Sequence, residues 1–113
     1  MSKSLHHQIA ARARTIIAEE RRWVQGHLAL NSKGRMADVG ERDAYRFCAV
    51  GALQRAAREL ADDRDVADRV QAEIERFAGI PNRRFENLEA FNDSRRTTHA
   101  AVIRLFDDFI AAT

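Results

Sequence analysis

The chain has 113 residues, 45% of them apolar and 32% charged, with 19 Lys and Arg against 17 Asp and Glu for a net charge of +2. That length fits one domain, 1–113, with one modest core, and the apolar share excludes disorder of the whole chain. The longest unbroken apolar run, Phe47 to Leu53, is far short of the roughly 20 residues that span a bilayer, and the lone Cys48 excludes an internal disulfide, so a reducing cytoplasm and no membrane are expected.

Leu5, Ile9, Ala13, Ile16, Ile17, Trp23 and Val24 recur at three-and-four spacing, which predicts a helix from about Ser4 to near Gln25 with Ser4 as its cap. The first 18 residues carry Lys3, Arg12 and Arg14 without an acid and lack an apolar leader core, so they read as an amphipathic helix. Asn31-Ser-Lys-Gly34 predicts a turn, followed by loop to about Gly40. A second helix is expected from about Arg42 to Leu60. Its first half is apolar on almost every side, which places it at the centre of a bundle.

Asp62, Asp63 and Asp65 put negative charge at the start of a third helix. Val66, Val70, Ile74 and Phe77 are its expected buried stripe, and Gly79 and Pro81 its stop. A short helical turn around Phe85, Leu88 and Phe91 follows. Thr97 or Thr98 can cap the last helix, where Val102, Leu105, Phe106, Phe109 and Ile110 fall at i, i+3, i+4, i+7 and i+8. The expected fold is all-α, a compact bundle of four or five helices with short connections.

Cys48, His99 and Asn92 are the residue types of a thiol-dependent hydrolase, and Gln25 suits an oxyanion. Cys48, however, lies inside the apolar run, where a cysteine acts as a small hydrophobe with a raised pKa. His99 falls in the first turn of a helix, whose positive end disfavours its protonation. His6 and His7 point about 100° apart on a helix and cannot converge on one ion, and His27, Cys48 and His99 lack finger spacing. No metal and no cofactor is expected, and the two N-terminal histidines read as solvated.

Seventeen of the 19 cations are Arg, and residues 1–46 hold nine basic groups against five acidic ones. Arg12, Arg14, Arg21, Arg22, Arg83, Arg84, Arg95 and Arg96 are candidates for a macromolecule-binding surface. Glu19, Glu20, Glu86, Glu89 and Asp93 lie close by in sequence, which favours a solvated or helix-paired charged face over a nucleic-acid groove.

Trp23, Gln25, Cys48, Asn92, Asp93 and Thr97 combine apolar anchors with polar or small groups, and read as a structural turn-and-core motif. Asn92 and Asp93 are expected in a turn before the last helix, folded over the Trp23 and Cys48 region and hydrogen-bonded there.

The stretches W-V-Q-G, F-C-A-V-G-A-L-Q-R-A-A, F-N-D-S-R-R-T and V-I-R-L-F-D-D-F-I, from Trp23 to Ile110, resemble the pattern of domain of unknown function 6197. That family comprises small proteins of bacteria and their phages. Its pattern favours Trp where this chain has Phe91, and His99 matches no motif position. The resemblance implies a phage or mobile-element setting and no mechanism. The functional expectation is a non-catalytic helical module that binds a host macromolecule, with a protein partner favoured. The alternatives are nucleic-acid binding through an Arg-rich face and a thiol hydrolase built on Cys48 and His99; an enzyme is the less favoured class. The sequence leaves the oligomeric state open.

Overall fold

Five α-helices and a two-stranded antiparallel sheet make up the fold in a computed structural model that describes residues 3–80 and 84–113. The elements are α1 (Leu5–Ile16), β1 (Ala29–Asn31), β2 (Ala44–Phe47), α2 (Ala49–Ala61), α3 (Arg64–Ala78), α4 (Leu88–Asp93) and α5 (His99–Ala112). The protein is therefore mostly helical but not all-α.

The first helix begins as its sequence predicts, with the Ser4 side chain accepting from the His7 N–H. It ends at Ile16, well short of Gln25. No Gly or Pro marks this stop. A 3₁₀ turn spans Glu20–Arg22, and Trp23 and Val24 run extended, with the Val24 N–H donating to the Phe47 carbonyl at 3.1 Å. Tertiary pairing outweighs local helix preference here.

The expected helix over Arg42–Leu60 is corrected in the same way. Residues Ala44–Phe47 form β2, and α2 begins only after Cys48. The strand lacks β-branched residues, but Tyr45 and Phe47 fit a pleated surface, and Ala44 and Phe47 are buried. Register pairs Ala29 with Phe47, Leu30 with Arg46 and Asn31 with Ala44, with an irregularity between Leu30 and Asn31. A two-stranded sheet alone is marginal. This one leans on α2, whose Gly51 lies so close to Leu28 that an added Cβ would sit 1.9 Å from the Leu28 carbonyl oxygen.

Helix α2 is the centre of the molecule. Ala49, Val50, Gly51, Ala52, Leu53, Ala56 and Ala57 are buried, and α1 and α3 pack on it most extensively. Short side chains at these positions let helix axes approach closely. Ile9, Ala10 and Ala13 of α1, Val66, Val70 and Ile74 of α3, and Val102, Phe106 and Phe109 of α5 complete one contiguous core. Phe77 departs from its expected buried stripe. It is 46% exposed and meets Phe109 edge to face, with ring centroids 5.7 Å apart.

Helix α2 ends at Asp62 in the left-handed region (φ 48°), and α3 ends at Gly79 (φ 77°). Pro81, expected to help stop α3, lies outside the described residues. Thr98, rather than Thr97, caps α5 by accepting from the Ala101 N–H. Among the described residues no helix is long and apolar enough to cross a membrane.

Candidate functional site

The sequence motifs converge where three separate chain segments meet. Trp23 and Val24 arrive extended from the 3₁₀ turn and the chain bends at Gln25 and Gly26 (φ 83°), Cys48 joins β2 to α2, and Asn92 and Asp93 close α4. Asn92 is fully buried and uses its whole amide. Its Oδ1 accepts from the Trp23 indole N–H at 2.7 Å and from the Ala49 backbone N–H at 3.0 Å. Its Nδ2 donates to the Val24 carbonyl at 3.1 Å and to Asp93 Oδ1 at 2.9 Å. An amide offers two donors and two acceptor positions, so this one is saturated. Burial of so polar a group is tolerable for that reason.

Around it the polar partners interlock. Asp93 Oδ1 also accepts from the Gly26 N–H at 2.9 Å. Gln25 Nε2 donates to the carbonyls of Asn92, Ser94 and Thr97 at 2.9, 2.7 and 3.4 Å. Asn92 and Asp93 were expected before a helix start; they instead end α4. The Asp93 carboxylate is held by the Gly26 N–H and the Asn92 amide rather than by a helix N-terminus.

Cys48 is not inside a helix, as its apolar surroundings predict, but at the N-cap of α2. Its Sγ accepts from the Gly51 N–H at 3.3 Å, while Asn92 takes the Ala49 N–H. Two orphan donors of the helix start are thereby satisfied. A helix N-terminus ordinarily lowers a thiol pKa. Burial outweighs it: desolvation pushes the Cys48 thiol up to about 11, the Gly51 and Val50 N–H groups oppose the rise, and the Asp93 and Glu89 carboxylates add to it. Cys48 contributes to the wall of a surface hollow, yet it is only 1% exposed.

His99 does not serve the thiol. Its Nε2 lies 2.7 Å from the Ile17 carbonyl, which can only accept, so Nε2 carries the proton. The ring also leans on Trp23, centroids 5.8 Å apart. Among the described residues no hydrogen bond links His99 to Cys48, and no group of three His, Cys, Asp or Glu side chains is placed to hold a metal ion. His6 and His7 diverge as their spacing requires, but neither is merely solvated. His6 Nδ1 meets Glu73 Oε1 at 2.6 Å, and His7 Nδ1 meets Thr113 Oγ1 at 2.9 Å.

The arginines are spread over the molecule and are largely engaged. Arg12 pairs with Glu59 of α2, Arg14 with Asp107 of α5, and Arg21 with Glu19. Arg22 donates to the Tyr45 carbonyl at 2.6 Å and lies 4.3 Å from the centroid of that ring. Arg84, Arg95 and Arg96 are exposed, and Arg83 lies outside the described residues. Arg12 and Arg14 thus turn toward different neighbours of α1.

One feature escapes the sequence reading altogether. Leu28, Ala37, Asp38, Val39, Glu41, Gln54, Arg58, Asp62, Asp63 and Arg64, with the Gly40 backbone, enclose an open hollow of about 720 Å³. A smaller one of about 290 Å³, which includes Cys48 in its wall, adjoins it through Leu28, Ala37 and Asp38. The loop to about Gly40 is expected from the sequence, but treating residues 42–60 as a single helix hid the second strand, against which that loop and α2 form this face. The cluster of acids from Asp38 to Asp43 was the available signal.

A model for a family of unknown function (DUF6197) matches residues 1–112 of the chain. No curated protein and no solved structure matches it.

Proposed function

We propose that this chain, which belongs to the DUF6197 family of unknown function, is a non-catalytic binding module that acts on a protein partner. The observation that carries this reading is the state of Cys48. Its sulfur is 1% exposed, caps α2, and has its pKa pushed up to about 11. A thiol nucleophile needs the opposite: a lowered pKa, access to substrate and a base within reach.

The other polar groups of the shared motifs support the same conclusion. The Trp23 N–H, the whole Asn92 amide, Gln25 Nε2 and Asp93 Oδ1 hydrogen-bond to one another and to backbone. These residues set the fold, and recognition falls to the surface. The family resemblance supplies the setting of a phage or mobile-element accessory protein, in which the partner is a host protein.

Two measurements test this. Cys48 in the native protein should react with iodoacetamide more slowly than free cysteine, and affinity capture from host lysate should recover one stoichiometric protein, equally with wild type and with Cys48→Ser. A hyper-reactive thiol, or capture of no stoichiometric partner, would overturn the reading.

A further inference from the structure

The two adjoining hollows share Leu28, Ala37 and Asp38 and together make a groove lined by apolar and acidic side chains. Leu28, Ala37 and Val39 are apolar lining residues, with Leu28 38% exposed, and Met36, which also lines it, is 79% exposed. Asp38, Glu41, Asp62, Asp63, Glu89 and Asp93 line it, against the cations Arg58 and Arg64 and a histidine, His27. The groove is therefore acidic by four charges on a chain whose net charge is +2. Among the described residues, none of these six carboxylates takes part in a salt bridge, whereas Glu19, Glu59 and Asp107 elsewhere are each paired with arginine.

Carboxylates around a low-dielectric concavity focus a negative field into it. Lys and Arg side chains match such a surface doubly, laying apolar stems on its apolar side chains and ionic heads on its carboxylates. One cationic side chain of the protein, Arg58, already lines this groove. The Arg58 guanidinium covers Gly40 so closely that a Cβ on the glycine would sit 2.6 Å from Nε. The larger hollow, about 720 Å³, lies within the range of roughly 300–1,000 Å³ typical of ligand sites.

We infer that this groove docks a Lys- and Arg-rich extended segment of a protein partner. Its stems lie on Leu28, Ala37 and Val39, and its cationic heads reach Asp38, Glu41 and Asp62. This assignment rests on the binding-module reading and gives it a location and a chemistry. The same field repels a nucleic-acid backbone from this face.

The test is fluorescence anisotropy with labelled hexa-arginine, hexa-glutamate and a DNA oligonucleotide, alongside amide NMR mapping of the hexa-arginine complex. Hexa-arginine should bind saturably and shift the amides of Leu28, Ala37, Asp38, Val39 and Glu41, while the two anionic probes should not bind this face. The double variant Asp38→Lys, Glu41→Lys should weaken hexa-arginine by about tenfold or more, and the neutral Asp38→Asn, Glu41→Gln by less. Both positions are exposed, and a melting curve checks that the variants fold. Affinity unchanged by charge reversal, shifts confined to another face, or DNA bound in the groove would overturn the assignment. If the captured partner persists on the charge-reversed protein, the groove is wrong and the module reading stands. If wild type captures none while hexa-arginine still fills the groove, the reverse holds.

Discussion

The Trp23 indole N–H donates to Asn92 Oδ1 at 2.7 Å across 69 positions of sequence. That single bond joins the segment after α1 to the end of α4, and the same oxygen holds the first N–H of α2. Asn92 is therefore a three-way junction, and the short motifs around Trp23, Cys48 and Asn92 are parts of one device. It ties the start of α2 both to the segment after α1 and to the end of α4.

Replacing Asn92 by Leu should be among the most damaging changes in the protein. The Trp23 and Ala49 N–H groups and the Val24 carbonyl would each lose a partner inside the fold. A buried group left unsatisfied costs about 1–3 kcal/mol, so a total near 3 kcal/mol or more is expected, with some return from the added apolar side chain. The melting temperature should fall by roughly 10 °C or more, and the Trp23 fluorescence should shift. An unaltered melting curve would show that water or local rearrangement replaces the amide.

The helices that carry a continuous apolar period were legible in the sequence. α3 and α5 have their caps and, apart from the exposed Phe77, their faces where spacing places them, because Val70, Ile74, Val102 and Phe106 repeat on one side of each helix. The sheet was not. Strand β2 has four residues and β1 three, both too short for alternation to register, and Phe47-Cys-Ala-Val-Gly-Ala-Leu53 reads as one helix because its strand end and helix start are equally apolar. The premature end of α1 was hidden for a related reason. Beyond it Val24 pairs with Phe47, a contact local propensity does not contain. Residue types at the polar junction were readable, but most of their partners are backbone atoms of distant segments, which no side-chain pattern announces.

Asp93→Ala should destabilise by about 1–2 kcal/mol, less than the Asn92 change, because Asp93 is only half-buried. Its Oδ1 joins the Gly26 N–H to the Asn92 amide, so its loss frees both donors. Asp93→Asn keeps an acceptor oxygen for either and should recover much of the loss. Urea unfolding of the three proteins gives the order. Equal stability of wild type and alanine variant would remove Asp93 from the junction.

Gly51→Ala sets two effects of opposite sign against each other. Within a helix, alanine is favoured over glycine by roughly 1 kcal/mol. Here the new methyl would sit 1.9 Å from the Leu28 carbonyl oxygen, a backbone atom that cannot swing aside as a side chain can. Overpacking of this kind costs about 1–3 kcal/mol, and here backbone must move. The clash should win, so the variant should be less stable and should shift the amide resonances of Leu28 and Ala29. A stabilised Gly51→Ala would mean that the strand segment is free to retreat from α2.

Alkaline pH supplies the sharpest test of the buried thiol. The folded pKa of Cys48 is pushed from 9.0 up to about 11, so between those values the folded chain keeps its proton while the unfolded chain releases it. Stability rises with pH only where the unfolded state binds more protons; here it binds fewer, so stability falls. The contribution is complete below about pH 9 and is lost by about pH 11, amounting to roughly 2–3 kcal/mol at 1.36 kcal/mol per pH unit. Other groups titrate in the same range, so the relevant quantity is the difference between wild type and Cys48→Ser. Serine keeps an acceptor for the Gly51 N–H but does not ionise there. Wild type should lose stability faster than Cys48→Ser across this window, and its ultraviolet thiolate absorbance should develop only near the upper end. A thiolate appearing near pH 8 in the folded protein, or identical alkaline slopes for the two proteins, would mean that Cys48 is open to water and would return it to the list of reactive groups.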